Sequence, residues 1–211
     1  MLSKTWAGRK VSGAALRSGP RRRVPAMKEF SMFELALEAA GGKLEEMGAV
    51  THVSRRDFDE RPTIAFRAQV PALEYISLLI ENALLLRTHR GGRVYAGFQK
   101  LSRMEGVVDR YMRIADVSER VYVFGEPDWR PPRHPNMRLI RLPDGVRLAG
   151  EWFVVAHSPN MSVALVAVDE DGFDTPVLEE RAFRALKTHD AGVVRRLAAA
   201  AEGLVDDALN C

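Results

Sequence analysis

The sequence predicts an α/β fold, with α+β as the alternative: a single domain built on one mixed β-sheet with packed helices. Three patterns predict it. Two short apolar runs, RVYAGFQ (93–99) and RVYVFG (120–125), flank a helix-periodic segment, which reads as a βαβ unit with parallel strands. Two longer β runs, GEWFVVAH (150–157) and MSVALVAVDED (161–171), are joined by the turn signal SPN and read as a C-terminal antiparallel hairpin. Helix-periodic segments lie before, between and after these strands.

Taken in order, residues 29–40 alternate Phe30, Phe33, Leu35, Leu37 and Ala39-Ala40 with polar positions, and the pair Gly41-Gly42 stops that helix. AVTHV (49–53) and TIAFRAQV (63–70) are β-like, separated by the charged connection RRDFDERP (55–62). Pro71 suits the first turn of a helix running to about Arg87. Strand 93–99 follows. Val107, Val108, Tyr111, Ile114 and Ala115 then share one side of a helix over 106–119. After strand 120–125 comes a proline-rich loop, EPDWRPPRHPNM, and a short strand, MRLIRL (137–142). Beyond the hairpin, 177–187 and 190–208 both carry a helical pattern.

Composition narrows the class. The 211 residues are 46% hydrophobic and 28% charged, which suits a globular core inside a hydrated surface. No apolar run reaches the ~18 residues of a membrane span. Cys211 is the single cysteine, so no intrachain disulfide can form, and the chain suits a reducing cytoplasm. The net charge of +3 is a local property. Residues 1–26 hold seven basic residues and no acid, leaving 24 basic and 28 acidic residues in 27–211, a net −4. This gives no case for nucleic acid except through residues 1–26. That segment reads as a basic disordered extension, with a transit peptide or a nucleic-acid-binding arm as alternatives. Met27 opens a good helix start, which suggests a start placed too early and a folded unit of 27–211.

Familiar catalytic signatures are missing. There is no GxxxxGK[ST], no GxGxxG after a strand, no HExxH and no GxSxG. The five histidines are scattered, so no metal site is expected, and no cofactor is indicated. The expectation is a non-enzymatic module. The alternative is an enzyme with dispersed residues acting on a nucleotide-like substrate, for which Glu81, Gln99 and Asp128 would have to converge.

A few residues still point to binding. Glu74, Ser77 and Glu81 fall on one stripe of the 72–87 helix, either a solvent stripe or a Ser-Glu pair facing a pocket. Gln99 and Phe124-Gly125 end the two parallel strands, where open α/β sheets bind ligands. Gly97 permits close approach of another group, and Ser77 or Glu81 could partner the Gln99 amide. Trp129 sits in the proline-rich loop and could close over a ligand. Glu151 and Trp152 open the hairpin. The candidate ligand-binding set is therefore Ser77, Glu81, Gln99, Phe124, Gly125, Trp129, Glu151 and Trp152.

These words in this order, ISLLIE with Ser77 and Glu81, GFQKLSRM, the Tyr111 helix, VYVFGEPD, and EWFVV before MSVALVA, resemble the DICT sensory domain. RAFRALKTHDAGVV resembles the closing segment of that family, with Thr188 and Asp190 at its polar positions. The resemblance covers roughly 30–200. It implies signal transduction: such domains accompany cyclic-di-nucleotide synthases and phosphodiesterases, histidine-kinase-type modules of two-component systems and helix-turn-helix regulators, with a suggested link to light responses. No ligand is carried over. With no output domain visible, the resemblance implies a stand-alone cytoplasmic regulatory protein. Its partner in trans would be a histidine kinase, a cyclic-di-nucleotide enzyme or a transcription regulator, with a small-molecule ligand as input.

Overall fold

The computed structural model describes residues 27–49, 56, 60–86, 91–173 and 175–209. The strands are β1 (Glu45–Ala49), β2 (Thr63–Gln69), β3 (Arg93–Lys100), β4 (Arg120–Glu126), β5 (Met137–Arg141), β6 (Glu151–Ser158), β7 (Met161–Asp169) and β8 (Ala182–Thr188). They form one eight-stranded sheet in the order β1-β2-β8-β7-β6-β3-β4-β5. β1 pairs β2 in parallel, β3, β4 and β5 run parallel, and the remaining pairs are antiparallel. The sheet is mixed, with the expected βαβ unit at one end and the expected hairpin, β6–β7, at its centre.

Helices cover both faces. α1 (Met32–Ala40) and α4 (Ala191–Leu209) bury Phe33, Ala36, Val194, Leu197 and Ala201 against Tyr95, Phe124, Phe153 and Val166. On the opposite face, α2 (Val70–Leu85) packs on Ile64, Phe66, Val154 and Leu165, while α3 (Val108–Val117) packs on Val94, Ala96, Val121 and Val123. Alternation along β6 sends Phe153 and Val155 to the first face and Val154 and Ala156 to the second.

Local chemistry explains the boundaries. Ser31 caps α1 by accepting from the Glu34 N–H at 3.0 Å. Gly41, at φ 50°, takes the chain out of that helix. Pro71 opens α2 in the first turn, where its missing N–H does no harm. Asp190 accepts from Gly192 N at 2.9 Å and Val193 N at 3.0 Å, starting α4, and Thr188 Oγ1 lies 2.8 Å from Thr63 Oγ1 across the sheet. Those two polar positions of the tail therefore hold the fold. No helix among the described residues is long and apolar enough to cross a membrane.

Two expectations need correction. Residues 177–187 are not helical: a 3₁₀ turn at Leu178–Glu180 is followed by β8, which pairs with both β2 and β7. Because β8 is buried on both faces, Phe183 and Ala185 face α2 while Leu186 faces α1 and α4. That erases the alternation by which a half-buried strand is recognised. β1 also begins earlier than the predicted strand 49–53, whose residues beyond Ala49 lie outside the described ones. Residues 1–26 and 210–211, and with them Cys211, also lie outside.

Candidate functional site

The paths of α2 and α3 open a cavity between them. α2 arrives at β3 from the β2 side of the sheet, and the 3₁₀ segment Leu101–Val107 with α3 leaves β3 toward β4. Between them lies a cavity of about 560 Å³. Its walls are Glu74, Tyr75, Ser77 and Glu81 of α2 and Arg103, Val107, Arg110 and Tyr111 of the segment opposite. Its floor is the end of β3 (Gly97–Gln99), the start of β6 (Trp152–Val154) and Arg181. The volume falls within the range of small-molecule sites, and the place, beyond the carboxyl end of a parallel strand, is where α/β sheets bind ligands.

The polar groups of this cavity are locked by burial and charge. Glu81 is 4% exposed and accepts from Arg110 Nη1 at 2.9 Å. Burial pushes its carboxyl above the ordinary value, against the pull of Arg110. Tyr111 is sealed from solvent, and its hydroxyl makes no hydrogen bond of good alignment. Burial, followed by the nearby Glu81 carboxylate, raises its pKa well above the usual tyrosine range. Ser77 accepts from Trp152 Nε1 at 3.1 Å, tying α2 to β6.

Gln99 sits in a second polar cluster at the floor. Between Gly97 and Lys100 the register of β3 against β4 shifts, as in a β-bulge, and Gln99 adopts φ 62°. It is the one non-glycine residue with positive φ among the described residues. Its amide is fixed on both sides: Arg181 Nη2 donates to Gln99 Oε1 at 3.0 Å, and Gln99 Nε2 donates to Asp169 Oδ2 at 3.3 Å. Arg181 also pairs directly with Asp169. The expected partners of this amide, Ser77 and Glu81, are not the observed ones. An L-residue held in the left-handed region costs ~1–3 kcal/mol and persists where its surroundings over-determine it. Two effects therefore compete at position 99. Gln99→Ala should lower stability by about 1–3 kcal/mol, since it keeps the backbone strain and leaves buried partners short of a bond. Gln99→Gly should cost less than the alanine, because glycine removes the strain. Urea unfolding of both variants checks this order; equal losses would mean that the backbone is unstrained.

Four of the eight predicted residues, Ser77, Glu81, Gln99 and Trp152, line this cavity. The other four do not. Phe124 packs on Phe153 in the core beneath α1 and α4, with ring centroids 5.6 Å apart. Gly125 lets the Lys100–Leu101 backbone pass close to β4. Trp129 packs at the edge of the α3 core. Glu151 faces α1, on the opposite side of the sheet from its neighbour Trp152, because successive strand residues point to opposite faces. Gly97 admits a protein group, not a ligand: the Phe153 ring fills the space that a Cβ would need. Asp128 accepts from Ser102 N at 2.9 Å and Ser102 Oγ at 2.6 Å and lies outside the cavity lining, so Glu81, Gln99 and Asp128 do not meet there. Sequence reasoning missed Arg103, Arg110, Asp169 and Arg181. The available signal was an arginine opening an apolar strand, RAFRALKT. Among the described residues, no three His, Cys, Asp or Glu side chains cluster to hold a metal.

The chain matches no curated protein. Over 62% of its length it is similar to the crystal structure of polyphosphate kinase from Porphyromonas gingivalis, with 20% identity and a TM-score of 0.39. It spans 21% of that chain. Residues 61–170, just over half of the sequence, match the model of the sensory domain in diguanylate cyclases and two-component systems. That span contains the Ser77–Trp152 bond, the β3–α3–β4 unit and the β6–β7 hairpin, and it gives the chain its family: this protein belongs to the DICT sensory domains.

Proposed function

We propose that this protein senses a small molecule bound in the cavity between α2 and α3, and passes the bound state, without catalysis, to a signalling protein. The partner would be a histidine kinase, a cyclic-di-nucleotide enzyme or a transcription regulator in the cytoplasm. Support comes chiefly from the cavity itself. Its walls come from two helices on separate crossovers, and a ligand touching both has a different affinity for each α2–α3 spacing. Only such a difference can shift a conformational equilibrium. The non-catalytic reading is supported by how the two buried charged groups of the cavity, Glu81 and Arg181, are engaged. Glu81 is paired with Arg110, and the floor arginine Arg181 with Asp169.

Native mass spectrometry of the protein purified from its own host is the direct test. The expected result is a retained small molecule, lost from Trp152→Ala. Adding that molecule back at 100 times its Kd should stabilise the protein by about 2.7 kcal/mol. A chain that carries nothing, and whose melting responds to no metabolite while a protein partner binds tightly, would make it a scaffold instead.

A further inference from the structure

We propose that the cavity takes a planar ring system carrying an oxyanion, with Arg103 and Arg181 receiving the anion. This rests on the ligand-sensing reading and names its chemistry.

The first observation is a cluster of cations beside the floor: Arg103 and Arg181 line the cavity, and Lys100 lies outside its lining, near Asp128. The Phe173 ring has Arg181 Cζ at 4.2 Å, Lys100 Nζ at 4.6 Å and Arg103 Cζ at 5.4 Å from its centroid. One ring thus holds three like charges. Among the described residues, Asp169 is the one carboxylate hydrogen-bonded to any of them. Arg103 is exposed, lines the cavity and has no ion pair among the described residues. The second observation is independent of charge. Arg181 is 2% exposed, lines the cavity, and its Nε–H has no acceptor. A buried donor left unpaired is costly, and an acceptor oxygen supplied by a ligand would satisfy it. An oxyanion would also relieve the mutual repulsion through which Arg103, after burial, lowers the pKa of Arg181. The third observation concerns the rest of the walls. Tyr75 and Tyr111 line them, Phe98 and Trp152 line the adjoining floor, and Tyr75 is 43% exposed on a helix whose other large apolar side chains mostly face inward. Aromatic walls of this kind suit a flat ring.

The experiment uses two matched pairs of probes: indole-3-acetate with indole-3-acetamide, and AMP with adenosine. Each pair keeps the ring and removes the negative charge, and the two pairs separate a carboxylate from a phosphate source. Binding is read by thermal shift and isothermal calorimetry on the full chain. In at least one pair the anion should bind at least tenfold tighter than its neutral partner. Arg103→Gln, at an exposed position and so compatible with folding, should remove that preference, and Arg103→Lys should restore part of it. Neutral partners that bind as well as their anions in both pairs, or an Arg103→Gln protein that keeps the anion preference, overturn the oxyanion assignment and leave a ligand-binding cavity standing. No binding by any of the four probes to a folded protein overturns it as well. The ligand-sensing reading fails separately, on a chain that retains no host molecule and whose melting responds to no metabolite while a protein partner binds tightly.

Discussion

Asp169→Asn should lower the stability of the protein by about 3 kcal/mol, more than most single substitutions. The substitution removes one charge and almost no volume. Asparagine keeps the oxygen that accepts from Asp171 N at 3.1 Å and Gly172 N at 2.9 Å, so the turn after β7 survives. What changes is the other oxygen: as an NH2 group it no longer accepts from Gln99 Nε2 or Arg181 Nη2, and Arg181 loses its counter-charge. Its side chain is 2% exposed, and Asp169, 4% exposed, supplies its counter-charge. A guanidinium does not escape by losing its proton, so the variant folds around an uncompensated buried cation. Breaking one partner of such a pair typically costs 3–5 kcal/mol. Gln99 Oε1 still accepts from Arg181, which places the expected loss at the lower end. The double variant Asp169→Asn/Arg181→Met should recover most of the loss, because a flexible apolar side chain can sit between Phe173 and Phe183 without a charge. Urea denaturation measures both, with the slope unchanged if only stability moves. A single variant within 1 kcal/mol of the parent would mean that Arg181 is hydrated in solution, and the floor of the cavity would have to be redrawn.

That cluster also marks the boundary of what the sequence made legible. The β3–α3–β4 unit, the β6–β7 hairpin and the α2 start at Pro71 are local patterns, and local patterns are what periodicity and turn chemistry encode. Ser77 and Glu81 are legible from a helix stripe, Gln99 from a strand end and Trp152 from the opening of the hairpin. Their true partners lie far along the chain: Gln99 reaches Asp169 and Arg181, 70 and 82 positions away, and Trp152 reaches Ser77 across 75. No short window relates such residues. β8 was hidden because a strand buried on both faces over most of its length, carrying Arg184 and Lys187, reads as a helix. β1 was hidden because its sequence, EEMGA, is mostly exposed and has no apolar face. Glu151 shows the opposite failure. Adjacent in sequence to a cavity residue, it was grouped with Trp152, although strand geometry sends the two side chains to opposite faces of the sheet.

Glu151 should nevertheless dominate the pH dependence of stability near neutrality. It is 1% exposed and accepts from Ser31 Oγ at 2.5 Å, Met32 N at 2.9 Å and Phe33 N at 3.1 Å, holding the first turn of α1 to the sheet. Those donors and the distant Arg147 favour the charged form, but burial outweighs them and pushes the carboxyl up to about 7 from its ordinary 4.5. The sign follows from proton binding. Below pH ~4.5 both folded and unfolded chains hold the proton. Between pH ~4.5 and ~7 the unfolded chain releases it while the folded chain keeps it, so stability falls as pH rises through that window and levels off above it. At ~1.4 kcal/mol per pKa unit the fall amounts to about 3 kcal/mol. Glu151→Gln isolates this contribution. The amide oxygen can accept from Met32 N and Phe33 N, and the amide nitrogen can donate to Ser31 Oγ, which still accepts from Glu34 N. Variant and parent should therefore be nearly equal at pH 4.5, and the variant should be the more stable by up to ~3 kcal/mol at pH 8. Chemical denaturation at the two pH values gives the difference directly, with every other titrating group cancelling between the two proteins. A glutamine variant less stable than the parent at pH 8 would reverse the assignment. Glu151 would then be a carboxylate held ionised by the α1 N-terminus, and the positive end of a nine-residue helix would outweigh complete burial.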